Sequence, residues 1–99
     1  MARLKVVWTN TAYKQRKSIF KYWNNRNKNN SYSKKLLIEI NKRIRHISSF
    51  PEIGKPVDFK NTRAVSLGHF SILYQNNKNA IIITAFWDNR YDKKKIWRC

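Results

Sequence analysis

The spacing of apolar residues changes twice in the first half of the chain. In Arg3–Trp8, Leu4, Val6 and Trp8 alternate with Arg3, Lys5 and Val7. Period two in β-branched and aromatic residues predicts a strand. Thr9-Asn10-Thr11 follows, and such side chains accept from the free N–H groups of a first helical turn. Ala12, Ile19, Phe20 and Trp23 then fall on one face of a helix. Lys14, Lys17 and Lys21 recur as a separate basic stripe, which by itself reads as a solvated face.

Asn24–Ser31 is rich in asparagine, whose side chain competes with helical backbone hydrogen bonds. The helix is expected to break here, with Asn30 or Ser31 capping a second one over about Tyr32–Ser49. Leu36, Leu37, Ile40, Ile44 and Ile47 form its apolar stripe. Glu39 lies four residues from Lys35 and from Arg43, which predicts two helix-surface pairs of about 0.2–0.5 kcal/mol each. Pro51 disfavours the helical conformation at Phe50 and stops the run. Pro51–Asn61, with Gly54 and Pro56, reads as a loop.

Thr62–Leu67 and Phe70–Gln75 flank Gly68-His69, the signature of a type II′ hairpin. Asn76–Asn79 is a second turn. Ala80–Trp87 is a near-continuous apolar run broken by Thr84, as in a central strand. Asp88-Asn89-Arg90 ends it, and Lys93, Lys94, Lys95 and Arg98 surround Ile96 and Trp97 in the tail. The order β-α-α-β-β-β predicts an α+β domain spanning residues 1–99. Its two helices would pack on one face of a mostly antiparallel four-stranded sheet. The opposite sheet face, flanked by the basic tail, is then the expected working surface.

Charge narrows the function. Lys and Arg total 22 against 5 Asp and Glu, giving +17 and a pI near 10.5. A polyanionic partner relieves such self-repulsion: nucleic acid, the ribosome, an acidic protein segment or an anionic membrane surface. Disorder is disfavoured by 41% hydrophobic and 14% aromatic residues. The one cysteine, Cys99, excludes an intramolecular disulfide. No apolar run approaches the roughly 20 residues that span a bilayer, and no signal-peptide pattern opens the chain, so a cytoplasmic protein without a membrane partner is expected. His46, His69 and Cys99 lack metal-ligand spacing. With no phosphate-cradling glycine loop either, neither metal nor cofactor is expected.

Several segments together carry a resemblance. They are Trp8-Thr9-Asn10-Thr11-Ala12, Ile47 with Phe50-Pro51-Glu52-Ile53-Gly54, Arg63, Gly68-His69-Phe70-Ser71-Ile72-Leu73-Tyr74, and Ala80–Phe86 followed by Trp87-Asp88-Asn89-Arg90. In this order and at these spacings the chain resembles the RelE/ParE family of bacterial toxins of type II toxin–antitoxin systems. The resemblance implies a small basic toxin, alone a monomer or weak dimer, neutralised by a cognate acidic antitoxin that wraps over it. RelE-like members enter the ribosomal A site and cleave mRNA without a metal. There a base activates the ribose 2′-OH, cations hold the scissile phosphate, and an acid protonates the leaving oxygen. ParE-like members inhibit DNA gyrase and have lost the nuclease residues.

The first expectation from the resemblance is ribosome-dependent mRNA cleavage, with Arg63, Arg90 and Tyr91 catalytic and Lys93, Lys94, Lys95 and Arg98 binding RNA. The alternatives are gyrase inhibition and an inactive module that binds RNA or antitoxin. One departure bears on the choice: nuclease members carry an Arg three places before the hairpin Tyr74, and here that residue is Ser71. Arg63 and Arg90 also have a structural alternative, closing the sheet through Asp88 or Asp92. Tyr91 has one as a surface aromatic; Trp97 reads as core, or instead as a tail anchor or a base-stacking platform.

Overall fold

The computed structural model of the chain describes residues 4–89. Strand β1 (Lys5–Trp8) leads into helix α1 (Asn10–Asn27) and helix α2 (Ser31–Ser49); then come β2 (Lys55–Pro56), β3 (Thr62–Leu67), β4 (Phe70–Asn77) and β5 (Ala80–Asp88). The sheet order is β1-β5-β4-β3-β2, with β1 parallel to β5 and the other pairs antiparallel. The fold is α+β with a mostly antiparallel sheet, as expected, but with five strands instead of four. The added strand lies within the segment read as a loop, where Lys55 pairs with Ala64 and Pro56 with Arg63. Two residues carry no periodicity, and Pro56 is tolerated because this is a sheet edge.

Local chemistry sets the helix ends. The Thr9 hydroxyl accepts from Ala12 N–H at 3.1 Å and caps α1. The helix outlasts the first asparagines and stops where Lys28 turns left-handed (φ 57°). Asn24 stays helical, and its Oδ1 accepts from the Ser33 hydroxyl of α2 at 2.7 Å. Asn30 is the cap residue of α2 without a side-chain cap bond; Asn29 Oδ1 accepts from Ser31 N–H instead, at 2.9 Å. Glu39 pairs with Lys42 at 3.7 Å, not with Lys35 or Arg43.

Both helices cover one face of the sheet. Ala12, Leu36, Ile40, Ile44 and Ile47 meet Val65, Leu67, Phe70, Ile72, Tyr74, Ile81, Ile83 and Phe86 in the main core. The other face holds a smaller cluster, Ala64, Leu73 and Ala85, flanked by Val57 and Trp87. Strand β5 serves both layers through a bulge. Leu73 pairs with Ala85 but Tyr74 with Ile83, so Thr84 is extra. That residue switches the inward-facing phase between Ile83 and Phe86 and explains why the apolar run lacks alternation. Beyond the end of β1, the Phe86 N–H finds Gln15 Oε1 of α1 at 2.9 Å. The Gly68-His69 turn behaves as expected, with Gly68 at φ +61° and His69 without a positive φ.

The burial pattern carries a direct expectation. Ile40 is fully buried and Ile38, two residues away, is 56% exposed. Ile40→Ala is expected to cost about 2–5 kcal/mol through lost burial and a residual cavity, and Ile38→Ala less than about 0.5 kcal/mol. Urea denaturation of the two variants checks this; equal losses would contradict the packing described.

Candidate functional site

The loop after α2 is held by the far end of the hairpin. Helix α2 closes with Phe50 N–H donating to His46 C=O at 2.9 Å, and Pro51 turns the chain away. Ile53 N–H then donates to Phe50 C=O at 3.1 Å. The Tyr74 hydroxyl, fully buried on β4, donates to Pro51 C=O at 2.7 Å and accepts from Gly54 N–H at 2.9 Å. Its cross-strand partner Arg63 sends Nη1 to Gly54 C=O at 2.7 Å and to Glu52 C=O at 3.3 Å. The backbone of Pro51–Gly54 is thus fixed by one phenol and one guanidinium.

Gly54 is required here by space. A Cβ at this residue would lie 2.7 Å from Tyr74 Oη, 2.9 Å from its Cε1 and 3.0 Å from Arg63 Cβ. Two separate sequence marks, Phe-Pro-x-Ile-Gly and the hairpin tyrosine, are therefore the two halves of one contact. Burial pushes the Tyr74 phenol above its ordinary value of 10.0. The Gly54 N–H and the Arg63 charge pull it down, and Glu52 adds a push upward. The phenol stays protonated at neutral pH and serves as donor and acceptor to the backbone.

Arg63, expected in catalysis, is placed with its guanidinium on loop carbonyls. The carbonyls of Glu52 and Gly54 receive it; Asp92, one of the two partners named for a structural role, lies outside the described residues. Ser71 lies on the sheet face away from the helices, opposite Trp87. It is fully buried, with its hydroxyl donating to Asn89 Oδ1 at 2.9 Å. Asn89 is itself anchored by its N–H on His69 C=O at 2.7 Å. Arg90, Tyr91, Lys93, Lys94, Lys95 and Arg98 lie outside the described residues.

The face expected to be the working surface is an apolar, partly covered layer in its described part. Val57 packs on the Ala64, Leu73 and Ala85 cluster, and the Phe59 ring meets Trp87 edge-on at 6.0 Å between centroids. Lys55 marks one margin through its pairing with Ala64, and Lys5 the other on β1. Sequence reasoning noted Tyr74 as a family mark and Gly54 as a family mark and a loop residue, and missed their contact. A buried Tyr hydroxyl needs a partner, and a glycine without a positive φ needs a steric reason; together those were the available signals.

The sequence matches, over residues 6–92, the family model described as the ParE toxin of type II toxin–antitoxin system, parDE. No curated protein matches it. Two solved structures are similar. One is a chain of the chromosomal ParDE toxin–antitoxin system from P. aeruginosa, with TM-score 0.73, 16% identity, and 85% of this chain and 94% of that one covered. The other is a chain of the toxin–antitoxin complex RelBE2 from Mycobacterium tuberculosis, with TM-score 0.65, 17% identity, and 89% and 93% covered. At these identities the likeness is one of fold.

Tyr74→Phe strips two backbone groups of their partner and is expected to cost about 1–3 kcal/mol at pH 7. It should also change the pH dependence. The unfolded phenol ionises near 10.0 and the folded one higher, so the wild type loses stability as pH rises above 10 towards the folded value. Urea midpoints at pH 7 and above pH 10 check both effects. The variant should lose less than the wild type over that interval; an equal loss would remove Tyr74 from the account.

Proposed function

We propose that this chain, which belongs to the ParE toxin family of type II toxin–antitoxin systems, stops growth by inhibiting DNA gyrase and not by cutting mRNA. The observation that carries this is the environment of position 71. Nuclease relatives in the resemblance place an arginine there to grip the scissile phosphate. Here a serine is buried, with its hydroxyl committed to Asn89. Arg63 is committed too, because its guanidinium holds the loop carbonyls that fix α2 to the hairpin.

A metal-free cleavage at phosphate depends on cations preorganised where negative charge develops, and loss of one such donor typically costs about 10²–10³ in rate. A toxin that blocks a protein target needs no such group. It needs a rigid scaffold and a recognition surface, and both the ParE family match and the packed sheet face support that reading. The partner that restrains it is a cognate acidic antitoxin, which fits a chain of +17 net charge.

In a supercoiling assay with purified DNA gyrase, the full chain is expected to block conversion of relaxed plasmid. Prior addition of the protein encoded beside it is expected to restore that conversion. Undiminished supercoiling at saturating toxin would sink the gyrase reading.

A further inference from the structure

The charge of the described chain is concentrated on the helical layer. On α1, Lys14, Lys17 and Lys21 are exposed and fall within a narrow arc of the helix, opposite Ala12 and Trp23. On α2, Lys34, Lys42 and Arg45 are exposed along one line opposite Ile40 and Ile47. Glu39 is the one carboxylate in either helix and is itself half-exposed beside Lys42. Arg16 stands apart from this face, with its guanidinium 4.4 Å from the Trp8 ring centroid. The basic lines run about 10 Å and about 17 Å along their helices at about 1.5 Å per residue.

We propose that the outward face of the α1–α2 hairpin is a binding surface for the phosphate backbone of double-stranded DNA. This commitment to DNA rests on the gyrase reading above, since that target holds duplex DNA. Three features of the face select the ligand class. It is rich in lysine and poor in apolar anchors, the reverse of a protein–protein interface core. The apolar stripes of both helices are spent on the sheet, which leaves Ile38 as the lone exposed apolar residue on the α2 line, far short of the apolar face that an interfacial helix buries in a membrane. Stacking platforms for single strands are missing from the α1 line, because the exposed Tyr13 and Tyr22 lie on its flanks. Two parallel rows of flexible cations on helices packed about 8–10 Å apart suit phosphates along a duplex without reading its sequence.

The test is a fluorescence anisotropy titration of the full chain on labelled duplex DNA and on duplex RNA of the same sequence, between 50 and 200 mM NaCl. The wild type is compared with Lys14→Gln/Lys17→Gln/Lys21→Gln and with a control of equal charge change away from the helices, Lys5→Gln/Lys60→Gln/Lys78→Gln. All six lysines are exposed, and circular dichroism verifies folding. At about 0.9 of log–log slope per neutralised phosphate, the helix variant is expected to flatten the DNA salt dependence by up to about 2.7, and the control by far less. Equal flattening by both variants, no measurable DNA binding, or tighter binding to duplex RNA would each overturn the proposal. The supercoiling readout is separate: if gyrase is unaffected while the DNA slopes behave as expected, the gyrase reading fails and the surface stands.

Discussion

The architecture turns on one buried phenol. Tyr74 sits on the central hairpin, inside the layer formed by the helices, and its hydroxyl holds both ends of the turn that leaves α2. Two backbone groups, the Pro51 C=O and the Gly54 N–H, are satisfied by that atom, and leaving a buried group unpaired costs more than the hydrogen bond gains. Arg63 completes the arrangement from the adjacent strand, and the absence of a side chain at Gly54 makes the approach possible. The clamp fixes where α2 ends relative to the sheet. It thereby positions the short edge strand β2, because Lys55 and Pro56 follow Gly54 directly and pair beside Arg63.

This constraint also separates structural residues from those available for function. Arginine and tyrosine are the residue types that a phosphate-cleaving site would use, and in this chain the described examples at the centre of the hairpin are engaged with backbone. The sheet face beyond the helices joins the small residues Ala64, Ser71 and Ala85 to Leu73, with Trp87 and Phe59 beside them. Cations lie at its margins and over the helices. On the function proposed above, a toxin built this way acts by contact, through shape and electrostatic attraction, with a macromolecular target in place of a chemical step.

Much of the fold was legible because burial and period agree. The stripe of Leu36, Ile40, Ile44 and Ile47 and the glycine of the Gly68-His69 turn each have one physical reading. The bulge at Thr84 was hidden because an apolar run without alternation looks the same with or without a phase change. Strand β2 was hidden because two residues have no period. The hydrogen bonds of Arg63 were not legible, because its acceptors are backbone carbonyls, which no side-chain pattern reveals. Ser71 was visible as a departure from the family pattern; its burial and its bond to Asn89 depend on how β4 and β5 pair, a long-range fact. The helical cations were partly seen. The α1 stripe was read as solvent-facing, and only the packing of α2 beside it shows that the two basic faces form one layer.

The claim that the toxin works without cutting RNA is tested most directly on ribosomes programmed with a defined mRNA and an empty A site. After incubation with saturating toxin, primer extension across the A-site codon is expected to yield the full-length product alone. Cuts phased to the A-site codon would contradict the account, and would require a phosphate-binding and proton-transfer apparatus independent of Ser71, Arg63 and Tyr74.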